Sequence, residues 1–230
     1  MRKIAVLLAF ATAFATVGFA LTIDNFTSDQ AACVGPMPLC TLPAATSTND
    51  AGVLGGNRDL VISLLMGTAF IDTNLSQPAK LTFSSSGNSD AVGIVQWDGA
   101  NADGTLDTTG LGGVDLDTGA NFFVFEARAD LPGTVQIRVF NQGGGGPYFV
   151  DTPIPGDNTS HLYFVPLNLF TVQGATLTDV GALEIRLAGL QGFDVEFEFF
   201  GTSGVPEPAS WAMMAVGLLG LGIVRRRMRA

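Results

Sequence analysis

The sequence predicts an all-β chain, a two-sheet antiparallel β-sandwich over residues 21–201 followed by a C-terminal transmembrane helix. Three observations carry this expectation. Apolar and polar side chains alternate at period two, as in Val135, Ile137 and Val139 against Gln136 and Arg138, or Leu183, Ile185 and Leu187 against Glu184 and Arg186. Glycine, proline, asparagine and serine punctuate eight to ten such stretches at uneven intervals, and none forms a 12-residue amphipathic helix. Finally, residues 209–224 form an uncharged apolar run that stops at Arg225, Arg226, Arg227 and Arg229. As a helix that run would be about 24 Å long, a little short of the roughly 30 Å hydrocarbon core. The arginines would fix its C-terminus on the cytoplasmic side.

The N-terminus reads as an export signal of residues 1–20. Arg2 and Lys3 precede an apolar stretch over residues 4–19, and Gly18 and Ala20 place small residues before a cut after Ala20. At the other end Val205-Pro206-Glu207-Pro208-Ala209-Ser210, the apolar run and the terminal arginines follow one another. Together they resemble the PEP-CTERM sorting signal. That resemblance implies Pro206, Glu207 and Pro208 as the sorting motif and an exosortase-type membrane enzyme as partner. It further implies export across the inner membrane, transient anchoring there, and delivery to the cell surface, outer envelope or extracellular matrix. It covers about 26 residues and is silent on the function of the rest.

Charge narrows the partners. Between residues 21 and 208 only Arg58, Lys80, Arg128, Arg138 and Arg186 oppose all twenty-one carboxylates, a net charge of −16. Such a surface repels nucleic acid and anionic lipid. Cys33 and Cys40, the only cysteines, flank Gly35, Pro36 and Pro38; in an oxidising compartment they close a small loop as a disulfide. Two cysteines and the single, distant His161 do not supply a zinc site.

In chain order, residues 21–26 read as an opening strand and residues 27–57 as a long surface connection holding the disulfide. A glycine turn leads into a strand over residues 59–71, where β-branched Val61 and Ile62 outweigh a helical reading of the leucines. Residues 80–84 and 91–97 are expected to pair across a Ser/Gly/Asn linker, and residues 98–119 form an Asp/Gly/Thr loop. Further strands follow at 121–127, 133–140, 147–150, 161–170, 178–187 and 192–200, with Pro166 marking an edge or bulge. In the last, Val195, Phe197 and Phe199 are expected inward and Asp194, Glu196 and Glu198 outward. Short motifs such as Ile23-Asp24-Asn25-Phe26 and the glycine-rich residues 110–116 resemble the cargo domains of sorted proteins, which resemble jelly-roll carbohydrate-binding modules. An immunoglobulin-like sandwich is the other architecture, but its Cys and Trp spacing is missing.

Two sets of side chains invite a functional reading. Asp98, Asn101, Asp103 and Asp107 place hard oxygen ligands beside a glycine turn, which suits either a structural calcium or solvated turn residues. Trp97 and Tyr148 offer rings for a sugar platform, though a buried tryptophan is equally ordinary. Catalysis has weaker support. Asp194, Glu196 and Glu198 lie on one face at glycosidase-compatible spacing, yet same-face acids are the ordinary polar side of a strand. Asp157, Ser160 and His161 are crowded into five positions, and no nucleophile elbow is present. Together with the resemblance to PEP-CTERM-sorted proteins, which implies an exopolysaccharide-producing source, these readings give the expectation of a non-enzymatic exported protein associated with exopolysaccharide. The alternatives are a carbohydrate-binding module with one specific ligand and, last, a polysaccharide-active enzyme.

Overall fold

Period-two alternation becomes two stacked antiparallel sheets in the computed structural model, which describes residues 19–36, 40, 42–99 and 104–204. The strands are β1 (Phe19–Asp24), β2 (Gln30–Val34), β3 (Ala45–Asn49), β4 (Asn57–Met66), β5 (Ala69–Thr73), β6 (Leu81–Ser85) and β7 (Asp90–Trp97). They continue as β8 (Phe122–Ala129), β9 (Gly133–Asn141), β10 (Tyr148–Ile154), β11 (His161–Pro166), β12 (Val180–Gly189) and β13 (Asp194–Ser203), with one short helix, α1 (Asn168–Thr171), after β11. One sheet has the order β11-β8-β13-β6-β5-β2, with β1 joined to the far end of β13. The other has the order β10-β9-β12-β7-β4-β3.

Between the sheets the inward residues of every strand form one core. Its centre is aromatic: Trp97 lies against Phe200 at 5.2 Å, Phe200 against Phe123 at 5.4 Å, and Phe125 against Phe197 at 5.1 Å. Each such ring contributes about 1.5–3 kcal/mol by leaving water. A charged network is sunk into the same core. Arg58, wholly buried, donates to both carboxylate oxygens of buried Asp24 at 2.9 Å, to Gln30 Oε1 at 2.9 Å and to Thr73 Oγ1 at 2.8 Å. Trp97 Nε1 donates to Asp24 at 3.0 Å, so ring and ion pair hold one another.

Several expectations change. The segment 27–57 is not one loop, since β2 and β3 lie within it, each on the edge of a different sheet. The disulfide between Cys33 and Cys40 is formed, tying β2 to the chain that leads to β3. The expected strand at 59–71 is two, divided at Gly67, whose φ of 90° suits glycine and whose Cα hydrogen faces Ser89 where a side chain would clash. The expected pair of β6 with β7 does not form: β6 joins β5 and β13, whereas β7 joins β4 and β12 in the opposite sheet. A register shift in β13 between Phe197 and Phe200 turns Phe199 half outward and brings Phe200 into the core. Pro166 does sit on an edge strand, β11.

The transmembrane helix expected at 209–224, and with it transient membrane anchoring, is corrected. Among the described residues no helix is long and apolar enough to cross a membrane. Their only α-helix has four residues, because the intervening sequence alternates at the period of strands. Residues 205–230, with Pro206, Glu207, Pro208, Arg225, Arg226, Arg227 and Arg229, lie outside the described residues, as do residues 1–18 of the expected export signal.

Candidate functional site

The outer face of the six-stranded sheet carries a continuous row of hydrogen-bonding side chains. Register places Ser47, Asp59, Gln96, Glu184, Arg138 and Phe149 side by side across β3, β4, β7, β12, β9 and β10. The next row of that face includes Ile94, Arg186, Gln136 and Asp151. Alternation assigns each residue to a face, and only cross-strand pairing brings these particular residues together.

Glu184 is the hub. Although on an outer face, its side chain is only 1% exposed. Its carboxylate accepts from Arg186 Nε at 2.6 Å, Arg138 Nη1 at 2.7 Å and Gln96 Nε2 at 2.9 Å. Burial pushes the Glu184 carboxyl up, but the bonds from Arg138, Gln96 and Arg186 outweigh it and hold the group below the ordinary carboxylate range. Beside this hub Gln136 donates to Asp151 at 2.8 Å. Gln136, Asp151, Arg186, Thr134, Val92 and Ala188 line a depression of about 160 Å³. Phe149, 44% exposed, lies at the end of the first row, its backbone held at both N–H and C=O by the side chain of Gln173.

One side of this face is walled. The chain after β7 crosses over β3 and β4, where Gly104 N donates to Asp59 at 3.0 Å and packs on Ala45. The neck of this loop is closed by contact of Gly99 with Gly110: a Cβ on Gly110 would lie 1.6 Å from the carbonyl oxygen of Asp98. Gly104 thus covers the β3 and β4 side of this face, and the depression lined by Gln136, Asp151 and Arg186 is its cleft.

The residues singled out by sequence fall elsewhere. Trp97 is wholly buried and faces the core, so its ring offers no platform. Tyr148 is half-buried in the same inward row, reached through Val139 and Leu183, three strand spacings or roughly 14 Å away. Asp98 is buried and accepts from Asp107 N at 2.7 Å, while Asp107 Oδ1 accepts from both the backbone and hydroxyl of Thr109. Both carboxylates thus shape the loop; Asn101 and Asp103 lie outside the described residues. Among the described residues no group of three His, Cys, Asp or Glu is placed to hold a metal ion. Ser160 donates to Glu126 while His161 pairs with Asp157 at 2.9 Å, so those three do not form a nucleophile relay.

This chain is therefore a β-sandwich with a polar cleft on one sheet, carrying a sorting segment at its C-terminus. Residues 204–227 match the PEP-CTERM protein-sorting motif. A search of curated protein sequences returns no match. Among solved structures, a family 11 carbohydrate-binding module of a cellulosomal cellulase of Clostridium thermocellum is similar over 83% of this chain and 96% of its own, at 9% identity and a TM-score of 0.43. The agarase AgWH50C is similar over 81% of this chain and 26% of its own, at 14% identity and a TM-score of 0.46. A family 29 carbohydrate-binding module complexed with mannohexaose is similar over 77% and 94%, at 6% identity and a TM-score of 0.35.

Proposed function

We propose that this is an exported, non-enzymatic protein of the cell surface or extracellular matrix, recognised through its sorting segment by an exosortase-type enzyme, and that its cleft binds exopolysaccharide. The observation that carries the binding reading is the depression lined by Gln136, Asp151 and Arg186, with buried Glu184 holding Arg186 and Arg138 in place. Planar guanidinium, amide and carboxylate groups are locked to one another, which fixes a hydrogen-bonding array in advance, and the Phe149 ring offers an apolar surface beside it. Sugar hydroxyls need such an array, and their pyranose faces such a ring. A non-catalytic role is supported by the state of the acids. Glu184 and Glu196 each sit below the ordinary carboxylate range, held by their cations as structural hubs.

The test is electrophoresis of the exported protein in gels containing exopolysaccharide purified from the producing cells. Hydrogen bonds involving charged groups contribute about 1.5–3 kcal/mol each, so Gln136→Ala with Asp151→Ala should weaken retardation at least about tenfold while far-UV circular dichroism is unchanged. Retardation equal to that of the parent protein would refute this cleft. A single preferred ligand is the second reading, favoured by the defined depression beside Arg186. It requires retardation by one polysaccharide and not by others. Sorting is checked by intact mass, which should show a species beginning near Leu21 and lacking the residues after about Pro208 only when the sorting enzyme is present.

A further inference from the structure

The opposite outer face, that of the seven-stranded sheet, holds a second groove of about 320 Å³. Its floor is again set by register. Arg128, Glu196, Thr82 and Asp72 form one row across β8, β13, β6 and β5, and Asp194, Ser84 and Phe70 form the next. Phe70 is half-buried, presenting part of its ring beside exposed Ser84. Glu196 is held by Arg128 at 2.6 Å and by Lys80 at 3.2 Å, and Lys80 also reaches Glu198 at 3.1 Å. Burial pushes the Glu196 carboxyl up, but Arg128 and Lys80 outweigh it. Asp130 accepts from the backbone N–H of Asp194 at 2.8 Å, fixing the end of the groove.

The two faces thus repeat one arrangement. Of the five basic residues between 21 and 208, Arg58 is buried in the core; Arg138 and Arg186 clamp Glu184 on one face, and Lys80 and Arg128 clamp Glu196 on the other. Each centre lies beside a cavity and an accessible phenylalanine ring, Phe149 or Phe70. Every surface cation in a strongly acidic domain is therefore spent on ordering one of two carboxylate hubs. Around Glu196, where the Arg128 side chain is 43% exposed and that of Lys80 27%, ion pairs needed only for stability would be worth about 0–1 kcal/mol each.

We infer that the seven-stranded face is a second polysaccharide-binding groove and that the domain bridges two polysaccharide strands. The inference rests on the proposed saccharide-binding function. Sheets pack about 10 Å apart, so ligands on the two outer faces would be roughly 20 Å apart and pointing away from each other. One strand cannot occupy both without wrapping an edge, and two strands held this way are crosslinked. Bivalent attachment raises apparent affinity for a polymer about 100-fold or more over one groove.

The experiment measures both binding and the viscosity of a solution of exopolysaccharide from the producing cells, with the exported protein added. Ser84→Trp fills the second groove and Arg128→Gln removes one clamp; either should leave a single-site complex, abolish the viscosity rise and lower apparent affinity about 100-fold. The Gln136→Ala, Asp151→Ala protein should lose the viscosity rise in the same way while still binding through Phe70 and Arg128. Parental viscosity and affinity in both Ser84→Trp and Arg128→Gln would overturn the second groove and leave the first standing. A parent protein that does not bind the polysaccharide at all overturns both readings.

Discussion

Replacement of Arg58 by methionine probes the buried charge network. Arg58 directs Nε to Gln30, Nη1 to both oxygens of Asp24, and Nη2 to the carbonyl and hydroxyl of Ser28 and to Thr73. Methionine nearly conserves the volume of the stem, so the loss is electrostatic. Asp24 would keep two donors, the backbone N–H of Phe26 and Trp97 Nε1, but no cation. Breaking one partner out of a buried pair costs about 3–5 kcal/mol, because the remaining charge stays desolvated. Against a total of about 5–15 kcal/mol this is a large share. At about 2–4 °C per kcal/mol for a domain of this size, the melting temperature should fall by roughly 6–20 °C. Urea denaturation followed by Trp97 fluorescence measures the free energy directly. Asp24→Asn alone should cost a similar amount, and the double variant should cost much less than the sum of the two. Single losses under about 1 kcal/mol, or strict additivity, would refute the assignment of this network as the polar anchor of the core.

Two further expectations concern the acid limb and the disulfide. Because the folded-state pKa of Glu184 lies below its ordinary value of 4.5, the stability it contributes is fully present above that value and is lost as pH falls through the folded pKa. Glu184→Gln should therefore flatten the decline of the denaturation midpoint below about pH 4.5, and an unchanged acid limb would show that the arginine clamp is not felt. Cys33→Ser with Cys40→Ser opens a loop of sequence separation 7 and should cost about 2–3 kcal/mol by the chain-entropy relation, read from denaturant midpoints with and without reductant.

Much of the fold can be read from the chain. Alternation defines β9, β12 and β13, Pro166 identifies an edge, and Cys33 pairs with Cys40. The strands β2 and β3 escape such reading because their residues, Gln-Ala-Ala-Cys-Val and Ala-Thr-Ser-Thr-Asn, are small or polar. They are strands because β5 and β4 offer unpaired edges for them to complete. Phe199 and Phe200 exchange roles because a one-residue bulge reverses the alternation, and sequence periodicity carries no mark of where a bulge falls.

The functional faces divide in the same way. Sequence alone determined that Glu184, Arg186, Gln136 and Arg138 are the polar sides of their strands, that residues 21–208 are strongly acidic, and that residues 204–227 carry a PEP-CTERM sorting motif. Tertiary structure decided that Trp97 belongs to the core, where its N–H meets Asp24, and not to a surface. It also decided that Gln96, Glu184 and Arg138, far apart in the chain, form one row, and that Lys80 and Arg128 converge on Glu196. The physical reason is that facing is local, fixed by the pleat at every second residue, whereas neighbourhood is set by which distant strands exchange backbone hydrogen bonds.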